Sequence, residues 1–145
     1  MTRKTIIIFA AACAFAFALP LCASARTVVT MGGGSDAPLS PAVISGEHIY
    51  VSGQIPMDKD GTIPEGIEKQ TRLVLDNIAR VVKEAGGDMG KTVKTTVFIT
   101  DFDDFAAMNK VYRDFFKENF PARSTVEVSK LAFDVLVEID AIVEK

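Results

Sequence analysis

Apolar residues recur every three to four positions between Pro64 and Ala85, which is the period of an α-helix. The stripe stops at Gly86 and Gly87, and paired glycines are a typical helix end. We therefore predict a helix over 64–85 that buries one face in a core. The apolar positions of that face are Ile67, Val74, Leu75, Ile78, Val81, Val82 and Ala85.

A second amphipathic stripe follows the segment 92–100, whose alternation and β-branched residues predict a strand. Either Asp101 or Asp103 is suited to cap a helix that begins there. We interpret the aromatic residues of this second helix as core and not as a cofactor-binding surface. Its inner stripe is Phe105, Met108, Val111, Tyr112, Phe115 and Phe116.

Short alternating segments before, between and after the helices predict the strands of one sheet. The order of strands, helix, strand, helix and two strands favours an α+β fold with both helices on one face of a mixed sheet. The glycine-rich stretch 31–36 lacks the Gly-Lys-Ser/Thr ending of a phosphate-binding loop, so we predict a flexible loop there. The predicted strands are 27–30, 42–45, 48–52, 92–100, 124–130 and 135–144, with 42–45 and 48–52 joined as a hairpin.

The last predicted strand has two different faces. Every second residue from Val135 to Val143 is apolar and is expected to lie under the helices. The other face mixes Leu136 and Ile142 with the carboxylates of Glu138 and Asp140. Such a face is neither a good core nor an ordinary solvent surface, so we expect a homo-oligomer that packs through it.

The chain opens like an exported protein. Arg3 and Lys4 precede an apolar run at 6–21, which is shorter than the roughly 20 residues that span a bilayer. The run leads into Ala-Ser-Ala at 23–25, where signal peptidase requires small residues. We therefore predict a signal peptide over 1–25 that is cleaved on export to the periplasm.

The mature chain would be one domain, 26–145, without a stable membrane anchor. Two alternatives are a transmembrane anchor and a lipoprotein modified at Cys22. The second is disfavoured because a lipid-modified cysteine requires a small preceding residue, and Leu21 precedes this one.

Composition excludes several kinds of chemistry from the predicted mature chain. Cys13 and Cys22 lie in the leader, so the domain has no thiolate nucleophile and no cysteine-based metal site. A single His48 argues against a histidine-based zinc site. Loss of Arg3 and Lys4 would take the net charge from −3 to −5. We do not expect nucleic-acid binding, because phosphates require clustered Lys and Arg.

Two charged residues are candidates for chemistry. Arg123 stands at the entrance to a strand, in FPARSTVEV at 120–128. It is either a solvated strand-end arginine or a rigid guanidinium that binds a small carboxylate through two parallel hydrogen bonds. Glu138 is either an exposed strand glutamate or a partly desolvated general base whose pKa is raised.

Three separated stretches of the chain occur together in a known family. They are VSGQIP at 51–56, KTTVF at 94–98 leading to Asn109 and Tyr112, and PARSTV at 121–126 followed by Leu131 and by VEI at 137–139. Spanning residues 37 to 143, this pattern resembles the RidA family of reactive-intermediate (enamine/imine) deaminases. The resemblance implies a chorismate-mutase-like α+β fold, a homotrimer with ligand sites between subunits, and hydrolysis of 2-imino acids to 2-oxo acids and ammonia without metal or organic cofactor.

The resemblance also assigns roles to residues of this chain. Arg123 would bind the substrate carboxylate, and Glu138 would orient and activate the attacking water. Ser52 and Gly53 would line the pocket. Asn109 would support the site from the second helix, and Thr125 stands where the family often has a cysteine.

One position departs from the family pattern. The stretch Ala-Pro-Leu-Ser at 37–40 places Leu39 where the family has a ligand-contacting tyrosine, so an apolar side chain replaces a phenol. The exchange implies a more apolar substrate, a slower enzyme or a binding protein. The alternatives to a deaminase are thus a non-catalytic trimeric binder of small carboxylates and a structural or holdase-like oligomer. Relatives have also been called ribonucleases, which the acidic composition disfavours.

Overall fold

The computed structural model describes residues 25–32 and 38–145, and in them a six-stranded mixed sheet carries two α-helices on one face. The sheet order is β1-β2-β3-β6-β4-β5, and β4 and β5 run parallel while the other neighbours are antiparallel. The predicted α+β class is confirmed. The elements are β1 Thr27–Val29, β2 Ala42–Ser45, β3 His48–Gln54, α1 Ile67–Glu84, β4 Thr92–Ile99, α2 Phe105–Phe116, β5 Ala122–Glu127 and β6 Val137–Glu144.

Helix α1 begins three residues after the predicted Pro64. Gly66 precedes it with φ 85° and ψ 147°. This backbone conformation is not helical, so α1 cannot extend back through position 66. The side chain of Gln70 secures this start, since Nε2 donates to the carbonyl oxygen of Pro64 and Oε1 accepts from the backbone N–H of Leu136. The helix is thereby tied to the strand entry it covers.

Strand β6 lies between β3 and β4 and shows the two predicted faces. Val137, Ile139, Ala141 and Val143 are buried under the helices. The residues between them are half-buried on the opposite face. The prediction of two faces is confirmed, and the homo-oligomer expected from it stays a prediction.

The capping prediction for α2 is wrong. The chain inserts a 3-10 turn at Phe102–Asp104, and Asp101 caps that turn by accepting a hydrogen bond from the backbone N–H of Asp103. Helix α2 then begins with Asp104 as its N-cap and without a side-chain cap. Of the predicted inner stripe only two members, Met108 and Tyr112, are fully buried.

Strand β5 lies at the edge of the sheet and pairs only with β4. It begins two residues before the predicted start, because pairing opens at Ala122 directly after Pro121, which has no N–H to donate. Between β5 and β6 the chain makes a 3-10 turn at Ala132–Asp134, in the gap between the two predicted strands.

Some predictions lie outside the described residues, namely the signal peptide up to residue 24 and most of the glycine-rich loop at 31–36. Within the described part of the chain, no helix combines the length and the apolar character needed to cross a bilayer.

Candidate functional site

Arg123 is held against the aromatic residues of α2. It pairs with Thr95 of β4, and its side chain lies on the helix-covered face of the sheet. The guanidinium carbon lies 4.7 Å from the ring centroid of Tyr112 and 5.8 Å from that of Phe105. Both distances are within the range of cation–π attraction, so the two rings form a platform for the guanidinium.

Tyr112, predicted as a core residue, also contacts Arg123 and lines a cavity together with it. Its hydroxyl and Thr95 Oγ1 share a hydrogen bond of 2.8 Å. Burial raises the pKa of Tyr112, and the Thr95 hydrogen bond and the charge of Arg123 only partly oppose that shift. The phenol therefore stays neutral and anchored. Periodicity places Tyr112 and Asn109 three residues apart on one helical face, but it does not show that Arg123 lies against that face.

The guanidinium of Arg123 has no ion-pair or hydrogen-bond partner among the described residues. It lines a cavity of about 300 Å³, a size suited to a small ligand. The structure thus brings together Arg123 and Asn109, as predicted. The lining residues are Asn109, Tyr112, Arg113, Phe120, Pro121 and Arg123.

Thr125 lies two residues beyond Arg123 on the same face of β5, opposite Val97. Its Oγ1 is buried and lacks a hydrogen-bond partner within the described residues. A buried hydroxyl of this kind is uncommon in folded proteins. Thr125 is not among the residues that line the cavity at Arg123.

Glu138 lies on the face of the sheet that the helices leave bare, opposite Phe98 of β4. Its carboxylate occupies the position where a Cβ on Gly53 would lie, so glycine at that position makes room for it. Burial raises the pKa of Glu138, and the negative charge of Asp140 raises it further. The direction of the predicted shift is confirmed.

Two more predicted residues lie near Gly53: Ser52 precedes it in β3, and Leu39 lines a cavity together with it. Ser52 Oγ donates a hydrogen bond of 2.6 Å to the carbonyl oxygen of Ser40, so its hydroxyl holds the backbone that follows Leu39. Leu39, whose side chain is 62% exposed, lines a second cavity of about 330 Å³ together with Gly53. Met31, Ile55 and Met57 make much of that cavity apolar.

The predicted site residues therefore form two separate groups within one chain. Arg123 pairs with Thr95, which faces the helices, whereas Glu138 pairs with Phe98, which faces away from them. The two candidate catalytic residues lie on opposite faces of the sheet. A single chain does not place them around one ligand, and a site that uses both requires a second copy.

Comparison with known proteins identifies the family. A sequence model described as Endoribonuclease L-PSP matches residues 34–145, which is more than half of the chain. The chain belongs to this family. A 2-iminobutanoate/2-iminopropanoate deaminase of Escherichia coli (strain K12) is 47% identical over 109 residues, covering 72% of this chain and 85% of the relative.

Solved structures of the family have the same fold. TdcF of E. coli with bound serine matches with a TM-score of 0.77 and 38% identity, covering 82% of this chain and 98% of the neighbour. YyfA of Yersinia pestis, from the conserved Rid protein family, matches with a TM-score of 0.79 and 44% identity, covering 83% and 100%. Membership of the RidA family, predicted from the motifs, is confirmed.

The chain presents two kinds of chemistry on the two faces of its sheet. One is an unpaired guanidinium on an aromatic platform, suited to a small anion. The other is a carboxylate whose pKa is raised by burial and by the charge of Asp140, which favours its acceptance of a proton. Together, an anion-binding group and a proton acceptor are sufficient for the addition of water to an activated carbon.

Proposed function

We propose that the protein hydrolyses small 2-imino acids to 2-oxo acids and ammonia, at a site completed between two copies of the chain in a homotrimer. The observation that carries the proposal is the guanidinium of Arg123, which lines a cavity of about 300 Å³ without any anionic partner in the described residues. The printed name of the E. coli relative, 2-iminobutanoate/2-iminopropanoate deaminase, supports this class of substrate. The neighbour with bound serine shows a related protein holding a small amino acid.

Arg123 binds the substrate carboxylate through two parallel N–H···O bonds. Stacking on Tyr112 fixes the plane of the guanidinium and leaves its donors free for the ligand. Asn109 offers a further polar group in the same cavity. The substrate is thereby oriented with C2 facing away from Arg123, toward the neighbouring copy.

Glu138 of the neighbouring copy acts on water. Its carboxylate accepts a proton as the water oxygen attacks C2 of the protonated imine, and the C=N π electrons move to nitrogen to give a neutral carbinolamine. Glu138 then returns that proton to the amino nitrogen, and the C–N bond breaks as ammonia leaves. The carbinolamine oxygen forms the C=O bond, and its hydroxyl proton passes to the Glu138 carboxylate. A carboxyl group with a raised pKa suits both the acceptance and the return of the proton.

No step in this sequence calls for a metal or an organic cofactor, because an imine carbon is already electrophilic. Positioning of water and substrate supplies most of the acceleration, and one residue that exchanges protons supplies the rest. The imine substrate and the protein itself are the partners that the proposal needs.

The experiment is an imine hydrolysis assay on the purified protein, with the imine generated in place by an amino-acid oxidase and trapped by semicarbazide. We expect the wild-type protein to hydrolyse the imine before semicarbazide reacts with it, and so to lower the amount of semicarbazone formed. Arg123→Ala and Glu138→Gln should each abolish that decrease. Arg72→Ala and Glu84→Gln remove the same charges from exposed positions on α1 and serve as controls. Full activity in both site variants would overturn the proposal.

One observation favours a second function, a non-catalytic binder of small carboxylates. The exposed Leu39 stands where a hydrogen-bonding phenol is expected, so its side chain offers a ligand in the cavity that it lines no polar contact. A binder requires Arg123 and not Glu138. Ligand affinity that survives Glu138→Gln, together with no turnover by the wild type, would select this function.

The family description also names an endoribonuclease. The chain carries a net charge of −3, and the cavity at Arg123 has the volume of a small molecule. Binding of an RNA strand relies on many phosphate contacts from clustered basic residues. We therefore favour small imino acids over RNA as the substrate.

A further inference from the structure

A second arginine lines the cavity that contains Arg123. Arg113 lies on α2, one helical turn after Asn109, and its side chain is exposed. Like Arg123, it has no ion-pair partner among the described residues. The cavity is therefore lined by two arginines, neither of which has an ion-pair partner in the part of the chain that the structure describes.

The electrostatics of this cavity differ from those of a site for one carboxylate. None of the six described residues that line it is acidic. Two cations facing one cavity of about 300 Å³ repel each other, and an anion between them relieves that repulsion. One carboxylate can bind the guanidinium of Arg123 and still leave Arg113 without a counter-charge.

The apolar members of the lining fit the space between two anionic groups. Phe120 and Pro121 supply carbon surface in the same cavity as the arginines. A short chain of methylene groups would contact that surface while each end meets a guanidinium. A dicarboxylate of four or five carbons has this distribution of charge and carbon.

We propose that the cavity at Arg123 and Arg113 binds dicarboxylates, and that the substrates of the enzyme are accordingly 2-imino dicarboxylates of four or five carbons. The substrate assignment rests on the proposed imine hydrolysis. Arg123 takes the carboxylate next to the imine carbon, and Arg113 takes the carboxylate at the far end. Arg113 is thus the residue that sets substrate preference.

Isothermal titration calorimetry with ligands that the protein does not hydrolyse tests whether the cavity binds a second carboxylate. Glutarate carries two carboxylates, and glutaramate has nearly the same shape with one of them replaced by a neutral amide. We expect the wild-type assembly to bind glutarate about tenfold more tightly than glutaramate at low ionic strength, as one added charge-assisted hydrogen-bonded pair permits. The preference should weaken as salt is added.

The deciding variant is Arg113→Gln, with Lys110→Gln as its control. Lys110 lies on the same helix, and its exposed ion pair with Glu68 places it outside the cavity, so both substitutions remove one positive charge from α2. We expect Arg113→Gln to reduce the preference for glutarate to about twofold or less and Lys110→Gln to keep it. Equal affinities in the wild type, or an unchanged preference in Arg113→Gln, would overturn the inference.

Turnover separates this inference from the proposed function. Imines generated from glutamate and from leucine are compared by the ratio of their kcat/KM values. We expect the ratio to favour the glutamate imine in the wild type and to fall about tenfold in Arg113→Gln. If the leucine imine is hydrolysed and no glutarate preference exists, this inference alone fails. If neither imine is hydrolysed, the proposed function fails, and the titration still decides whether Arg113 binds the second carboxylate.

Discussion

The carboxylate of Glu138 in β6 fills the space that a Cβ on Gly53 in β3 would occupy. Any side chain at position 53 must push that carboxylate away. We predict that Gly53→Ala reduces kcat/KM for imine hydrolysis by about a hundredfold, as expected when a general base is misplaced. Steady-state kinetics measure the loss.

The same substitution should change stability little. The atoms that must move belong to the flexible end of Glu138, and Gly53 does not adopt a positive φ. Gly90→Ala is the control, because a Cβ there makes only ordinary contact with Asp88. A large fall in the melting temperature of Gly53→Ala would show that the glycine serves the fold, and full activity would show that the position of Glu138 does not matter.

Arg123 and Glu138 lie on opposite faces of the sheet, so two inactive variants should restore each other's activity. In assemblies refolded from equal amounts of Arg123→Ala and Glu138→Gln, an active site forms wherever an intact Arg123 meets an intact Glu138 from the next copy. Random mixing gives about a quarter of the wild-type activity. Refolding each variant alone is the control. A mixture that stays as inactive as its components would rule out a site shared between copies.

The fold was largely predictable, because the core repeats a simple pattern. Leu75 and Ile78 in α1, and Val137 and Ile139 in β6, follow the periods of a helix and a strand and are fully buried. Element ends were less predictable, because they depend on local backbone geometry. Gly66 delays the start of α1, and the 3-10 turn at Phe102–Asp104 replaces the first turn predicted for α2.

The identities of the main candidate site residues could be predicted from the sequence, but their arrangement in space could not. Motif resemblance named Arg123 and Glu138, but only strand register shows that they lie on opposite faces of the sheet. The roles of Tyr112 and Arg113 could not be predicted from periodicity, since an aromatic platform and a second cation depend on how α2 lies beside β5. These are contacts between distant segments, and no local pattern encodes them.

Tyr112 should act through its ring more than through its hydroxyl. Tyr112→Phe keeps the face on which Arg123 lies and loses only the hydrogen bond to Thr95, so we expect KM to rise less than about threefold. Tyr112→Leu removes the aromatic face, and we expect KM to rise about tenfold or more with a smaller change in kcat. Kinetics of both variants, with circular dichroism as a check on folding, test the platform. Equal effects of Phe and Leu would contradict it.

The pH dependence of the reaction should report the raised pKa of Glu138. A general base must be deprotonated, so the acid limb of kcat/KM against pH should lie above 4.5, the usual value for glutamate. The free energy of unfolding should also depend on the protonation of Glu138. Since the folded chain holds this proton more tightly than the unfolded chain, the contribution of Glu138 to the free energy of unfolding is present below pH 4.5 and is lost as the pH rises through its folded pKa.

Asp140→Asn separates the two causes of that shift. The substitution removes the negative charge beside Glu138, while the amide oxygen can still accept the hydrogen bond that Thr96 N–H donates to Asp140. We predict that the acid limb moves to lower pH but stays above 4.5, because burial is the larger cause and is unchanged. Asp76→Asn, on the exposed face of α1, controls for the loss of one negative charge. Profiles are compared at constant ionic strength. An acid limb that does not move, or that moves to higher pH, would show that Glu138 does not titrate next to Asp140 in the active assembly.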